Sequence, residues 1–119
     1  MTEMPKRLRV GPLVYSVQHS HEATMAFSKV AGEDIYGACQ NRICNIIIDE
    51  GFPLDREQKT LLHEAVHALQ CVYDLSDDLK AGDEHYIRVF SAALLDMLRR
   101  NPELVRYLME EKGEGQGNG

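Results

Sequence analysis

The chain has 119 residues, of which 44% are hydrophobic and 27% are charged, as in a single globular domain with a modest core. Its 13 Lys and Arg against 19 Asp and Glu give a net charge of −6, which argues against a nucleic-acid partner held through phosphates. No apolar window is long enough to span a membrane, and the N-terminus does not resemble a secretory signal. Three cysteines, an odd number, indicate reduced thiols, so we expect a cytoplasmic protein.

The first part of the chain predicts a flexible arm, a strand and a short helix. Residues 1–9 are expected to form the arm. Apolar side chains alternate with others across residues 10–19, a period of two that is typical of a half-buried strand. Residues 22–30 predict a short helix, and the Ala-Gly-Glu-Asp segment at 31–34 indicates a turn.

Two more strands are predicted at residues 35–39 and 43–49, joined by a tight loop around Asn41-Arg42. The run Ile46-Ile47-Ile48 is β-branched and indicates a strand buried on both faces. A two-residue loop would place Cys39 opposite Cys44 as neighbouring free thiols. We therefore expect a three-stranded antiparallel sheet.

A helix is predicted from Asp55 to residue 75, with Asp55 as its N-cap and Gln58 as the capping-box partner. Apolar residues recur along it at helical spacing and predict its core-facing stripe. They are Leu62, Ala65, Val66, Leu69, Val72 and Tyr73.

A polar loop at 76–82 is short enough to return a second helix, residues 83–100, antiparallel to the first. Its predicted stripe comprises Ile87, Phe90, Leu94, Leu95 and Leu98. Asn101 as N-cap and Pro102 at the first helical position predict a short third helix, with apolar Leu104, Val105, Leu108 and Met109. Residues 113–119 are a Gly-rich tail, expected to be disordered. The predicted fold is thus one α+β domain over residues 10–112.

The pentapeptide His63-Glu64-Ala65-Val66-His67 reads H-E-x-x-H. Residues four apart on a helix lie one above the other, so both imidazoles project from one face and can share one Zn²⁺. Glu64 lies about 100° round the helix from His63. There it can act as general base without binding the metal, as in metallopeptidases.

A catalytic zinc site takes a third protein ligand and leaves one position open for water. Glu84 continues the predicted stripe of the second helix, where a charged residue is costly unless it is paired or binds a metal. Periodicity therefore favours Glu84, with His85 and an acidic loop residue as alternatives. The downstream candidates together are Asp74, Asp77, Asp78, Asp83, Glu84 and His85.

Two segments resemble the ImmA/IrrE-type metallopeptidases of bacteria, their mobile elements and their phages. Residues 54–68 read LDREQKTLLHEAVHA around the motif. Residues 84–95 read EHYIRVFSAALL, close to the E-x-x-A-x-x-F-A-x-x-L-L of that family, with Ile87 and Ser91 in place of two alanines. The resemblance covers about residues 43–98. It implies a minimal zincin fold, a small sheet over the active-site helix, with Glu84 as the third zinc ligand.

Zinc peptidases also need a donor aimed at the charge that develops on the scissile carbonyl. Candidates are Tyr36, Tyr73, Tyr86, Tyr107 and His85, and His85 and Tyr86 are favoured because they adjoin the expected third ligand. His19, His21, Cys39 and Cys44 are an alternative set of ligands for a second metal site, but a solvated loop pair is the simpler interpretation of the two histidines.

Together these features predict a zinc-dependent metallopeptidase of bacterial or phage origin that acts on a protein or peptide substrate. Zinc would be held by His63, His67 and Glu84, with Glu64 as catalytic base. The alternative is a zinc-binding interaction or regulatory module without turnover, because so small a domain offers little surface for a substrate cleft.

Overall fold

The computed structural model describes residues 2–32, 35–75 and 84–111. In these residues strands and helices are interspersed along the chain, which confirms the predicted α+β class. The elements are β1 (Arg7–Val10), β2 (Leu13–His19), α1 (His21–Ala31), β3 (Gly37–Gln40), β4 (Asn45–Ile48), α2 (Leu54–Val72), α3 (Glu84–Arg100) and α4 (Pro102–Met109). No helix in these ranges is long and apolar enough to cross a membrane.

The sheet has the strand order β1-β2-β4-β3. β1 and β2 pair antiparallel, β2 and β4 pair parallel, and β4 and β3 pair antiparallel. The prediction of three antiparallel strands is therefore wrong in number and in direction. Parallel neighbours need a long crossover connection, and α1 with β3 supplies it between β2 and β4. β3 is left at one edge of the sheet.

The N-terminal segment is part of the fold, so the prediction of a flexible arm is wrong at residues 7–9, which lie in β1. Leu8 and Val10 are fully buried, and Met4 also reaches the core. The predicted strand at 10–19 is interrupted by Gly11, which has a φ of +58° in the two-residue turn before β2. A Cβ on Gly11 would lie 2.9 Å from Cγ1 of Val72, so this turn also needs glycine for close packing.

The predicted short helix is confirmed as α1. Its N-cap is Ser20, whose hydroxyl oxygen accepts a hydrogen bond from the Ala23 N–H at 3.1 Å. It ends at Gly32, with a φ of +78°. The rest of the predicted turn, residues 33–34, lies outside the described residues.

β3 and β4 form the predicted hairpin, but with a different register. Gln40 pairs with Asn45 and Cys39 with Ile46, so a four-residue connection replaces the two-residue loop. A short 3-10 turn at Asn41–Ile43 fills it, and Cys44 follows in the left-handed region with a φ of 52°. Cys39 and Cys44 are therefore not opposed, and both are free thiols, as is Cys71. All four β4 residues are buried, which confirms burial of the isoleucine run on both faces.

α2 begins at Leu54 after Pro53 as N-cap, and no side chain caps it. The predicted capping box is therefore wrong. The Asp55 carboxylate accepts the N–H of the neighbouring Arg56. The Gln58 amide instead donates to the carbonyl oxygens of Tyr107 and Glu110, each at 2.7 Å. Gln58 thus ties α2 to the end of α4.

The core-facing side of α2 is rotated from the predicted stripe. Leu61 is fully buried, whereas Leu62 is exposed. The reason is that two glutamates, Glu57 and Glu64, lie on the buried side and interrupt the apolar pattern from which the stripe was predicted. The buried residues of the helix are Glu57, Leu61, Glu64, Ala65, Ala68 and Leu69.

α3 also differs from its predicted stripe, since Ile87 and Leu95 are exposed. Its buried residues are Ala93 and Met97, with Phe90 packed against the core beside them. In α4, Pro102 occupies the predicted first position, and Leu104 and Tyr107 are buried. The predicted tail at 113–119 lies outside the described residues.

Asn101 occupies the predicted N-cap position but makes no capping hydrogen bond. Its side chain joins α3 to the edge of the sheet instead. The Asn101 amide donates to the carbonyl oxygens of Arg9 (2.8 Å) and Met97 (2.7 Å), and its Oδ1 accepts the Arg9 N–H at 2.8 Å. This buried side chain satisfies the outer backbone groups of an edge strand.

We expect Asn101→Ala to lower the free energy of unfolding by about 2–4 kcal/mol, because it removes three hydrogen bonds to one buried and two part-buried backbone groups. Urea denaturation followed by circular dichroism measures this change. Glu103→Ala, an exposed change on the next turn, is the control and should stay within about 0.5 kcal/mol. Equal stability of the two variants would contradict the structural role of Asn101.

Candidate metal centre

The two histidines of the motif converge on one exposed face of α2. The Nε2 atoms of His63 and His67 are 3.2 Å apart, and the two rings meet edge to face with centroids 4.8 Å apart. This proximity follows from the i, i+4 spacing, which places successive turns of the helix over each other. Exposure of both side chains leaves the pair open to a ligand from solvent.

The spacing of the two nitrogens fits a shared zinc ion. Two nitrogens bound at 2.0–2.1 Å to a tetrahedral zinc lie about 3.3–3.4 Å apart. The observed separation of 3.2 Å between the His63 and His67 Nε2 atoms is close to that value. Binding needs the lone pairs of both nitrogens, so each proton would have to sit on Nδ1.

Glu64 lies on the neighbouring, inner side of α2, and only 8% of it is exposed. Burial raises the pKa of its carboxyl group, and the nearby His63 and His67 act in the opposite direction. The carboxylate also lies near Cys39 on β3: burial raises the pKa of the Cys39 thiol to about 12, and the charge of Glu64 adds to that rise. Glu64 is therefore held between the histidine pair and the edge strand.

Glu84 is the first residue of α3 and is exposed, with a side chain 72% accessible. Its Oε1 pairs with Nε of Arg88 at 3.3 Å. The buried stripe to which Glu84 was assigned is not the buried side of α3, so that periodicity argument is wrong. Across the described ranges, no third His, Cys, Asp or Glu joins the two histidines in a group that could hold a metal. Asp77, Asp78 and Asp83 lie outside those ranges, and Glu84 as ligand stays a prediction.

Tyr86 is placed next to the motif helix. Its hydroxyl oxygen accepts a hydrogen bond of 2.7 Å from the side-chain amide of Gln70, and its ring stacks on Phe90. Gln70 lies seven residues after His63 and three after His67, on the same side of α2. This contact fixes the start of α3 one turn beyond the histidines. The sequence interpretation overlooked Gln70, although its spacing from the motif could have identified it. His85 is exposed.

The other tyrosines proposed as donors are distributed over the molecule. Tyr107 is buried in the core, where burial raises the pKa of its hydroxyl to about 12, and Tyr73 packs against the core. Tyr36 is exposed and packs edge to face on Phe52, with ring centroids 5.0 Å apart. Only Tyr36 and Tyr86 therefore lie in the region around the motif.

An open groove of about 730 Å³ leads along α2 to His63. It was not anticipated from the sequence, although three of its residues lie at helical spacing before His63. The close approach of β3 to α2 shapes one wall, because a Cβ on Gly37 would lie 2.7 Å from Cγ2 of Thr60. The lining residues are Tyr36, Pro53, Asp55, Arg56, Lys59, Thr60 and His63.

His19 and His21 do not form the solvated loop pair that was expected. His19 ends β2, and its Nε2 lies 2.9 Å from Oε1 of Glu57. His21 begins α1, and its Nδ1 lies 2.8 Å from Oδ1 of Asp49. Each histidine therefore has its own carboxylate, and the described residues contain no second cluster that could bind a metal.

Comparison of the chain with protein-family models, with curated proteins and with solved structures finds no match. The resemblance to ImmA/IrrE-type metallopeptidases rests on the motif residues and their spacing, and membership of that family stays a prediction.

Proposed function

We propose that this protein is a zinc-dependent peptidase. The observation that carries the proposal is the pair of exposed imidazole nitrogens, 3.2 Å apart, beside the buried carboxylate of Glu64. A buried charge is costly, and Glu64 lies next to the histidine pair, whereas the buried Glu57 pairs with His19 and accepts the Phe52 N–H. The cost is understandable if the carboxylate has a chemical role.

His63 and His67 would hold the metal, with Glu84 as the third ligand that the resemblance implies. Zinc, when bound, polarises a carbonyl group and lowers the pKa of water. Glu64 would accept the proton of the attacking water and pass it to the leaving amine. Burial raises the pKa of its carboxyl group, the direction that suits a general base near neutral pH, and the charge of a bound zinc would oppose that rise.

The surroundings of the site favour an extended peptide as substrate. β3 is an edge strand and lies close to Glu64 through Cys39. A peptide that added to this edge would form main-chain hydrogen bonds and pass in front of the motif. The groove along α2 then accommodates side chains on one side of the scissile bond.

Protein purified without chelator should contain about one zinc per chain, because two imidazoles and one carboxylate form a typical catalytic ligand set. Elemental analysis of the purified protein measures the ratio. A metal-free preparation that also fails to bind added Zn²⁺ would overturn the proposal. The His63→Ala, His67→Ala double variant serves as the metal-free reference.

Glu84→Ala should weaken zinc binding at least about 10-fold, whereas His85→Ala should leave it nearly unchanged. Both side chains are exposed on the first turn of α3, so neither change should unfold the protein. Competition with a chromophoric chelator gives the two affinities. The reverse ranking would assign the third ligand to His85 and remove the support for the family resemblance.

A further inference from the structure

The groove beside His63 has a cationic floor built on one side of α2. Arg56, Lys59 and His63 follow one another at spacings of three and four residues, so their side chains project in one direction. All three line the groove. The line continues to His67, which makes the groove an approach to the metal-binding pair.

Neither Arg56 nor Lys59 forms an ion pair with another residue that the structure describes. The Arg56 guanidinium lies over the Tyr36 ring, 5.9 Å from its centroid, which orients it by a cation–π contact. Asp55 also lines the groove, so the lining carries two cationic side chains, Arg56 and Lys59, and one carboxylate. A surplus of positive charge thus lies in a groove of a chain whose net charge is −6.

The positions of these cations match the repeat of an extended peptide. Lys59 is four residues before His63, and Arg56 is seven before it. At 1.5 Å per residue the offsets along the helix axis are about 6 Å and about 10 Å. The metal-binding pair is centred about 3 Å beyond His63, and a strand advances about 3.3 Å per residue, so the two cations lie about three and four peptide residues from the centre of the pair.

We propose that Arg56 and Lys59 select substrates that carry an aspartate or glutamate three or four residues from the scissile bond. This inference rests on the proposed peptidase function and names its substrate class, an acidic peptide segment. Tyr36 forms the aromatic wall of the subsite and holds Arg56 towards the groove. Charge complementarity makes the pairing specific, and the exposure of the cations makes it sensitive to salt.

The test separates binding from cleavage. Immobilised full-length Glu64→Gln protein, loaded with Zn²⁺, is incubated with a synthetic pool of end-capped randomised dodecapeptides, and retained peptides are identified by mass spectrometry. We expect Asp and Glu to be enriched over the input. Arg56→Gln with Lys59→Gln should reduce that enrichment about fivefold, and Arg56→Glu with Lys59→Glu should favour Lys and Arg instead.

Lys29→Gln with Arg99→Gln is the matched control, since it removes two exposed cations elsewhere on the surface. Circular dichroism checks that every variant is folded. Retention without acidic enrichment, absence of retention, or equal loss in the control would overturn the inference. If the parent chain retains acidic peptides but cuts none of them, the subsite stands and the peptidase proposal fails.

Discussion

Glu64→Gln should lower peptide hydrolysis by at least about 10²–10⁴-fold, because glutamine keeps the size of the side chain but cannot accept a proton. Zinc content should not change, since Glu64 does not lie on the face shared by His63 and His67. Both proteins are incubated with extracts of the native host, and new N-termini are compared by mass spectrometry. Products that appear only with the parent support the assigned role.

Glu57→Gln is a matched control for this experiment. Glu57 is another buried carboxylate on α2, but it accepts the Phe52 N–H at 3.2 Å and pairs with His19. Its replacement should lower stability and leave turnover per folded molecule unchanged. Products that are equally abundant with the parent and Glu64→Gln would refute the mechanism. Partner binding without any cleavage by either protein would favour the zinc-binding interaction module.

His63→Ala and His67→Ala should each weaken zinc binding at least about 100-fold, more than the loss of a group that only orients a ligand. Each change removes one of two nitrogens that lie 3.2 Å apart and leaves the remaining imidazole without its chelating partner. Competition with a chromophoric chelator measures the affinity. Neither exposed residue contributes to the core. The free energy of unfolding of each zinc-free variant should therefore differ from that of the zinc-free parent by about 0.5 kcal/mol or less.

His21→Ala is the control for the loss of an imidazole as such, because His21 pairs with Asp49 away from the motif. Its zinc affinity should equal that of the parent. A motif variant that binds zinc as tightly as this control would show that the ion, if present, is held elsewhere. The comparison also detects adventitious binding to surface histidines.

The sequence predicted those parts of the fold that depend on local signals. Helix α1 begins after Ser20 and ends before Gly32, and β3 and β4 pair antiparallel as predicted. Pairing of β2 with β4 joins segments separated by a helix and another strand, and no local pattern encodes it. The buried side of α2 was misassigned because Glu57 and Glu64 take core-facing positions, and hydrophobic periodicity does not recognise buried acids.

The candidate site likewise has a part that local spacing predicts and a part that depends on contacts between elements. The imidazole pair follows from four-residue spacing on a single helix, and could therefore be predicted with its geometry. A third ligand for the proposed zinc would have to come from another element, and for Glu84 its position would depend on how α3 packs against α2. Tyr86 does reach α2, through Gln70, while Glu84 pairs with Arg88 on its own helix. Spacing within one helix therefore does not predict which residue of another helix would complete the proposed ligand set.

The two ends of the described chain are joined directly. The Thr2 N–H donates to the Glu110 carboxylate at 3.0 Å across 108 residues, and Arg9 and Asn101 are joined across 92. Leu104 and Tyr107 complete the core only from this distant end. During synthesis α2 leaves the ribosome before α4. Because Leu104 and Tyr107 of α4 belong to the core, the core that backs α2 is complete only after α4 has been synthesised.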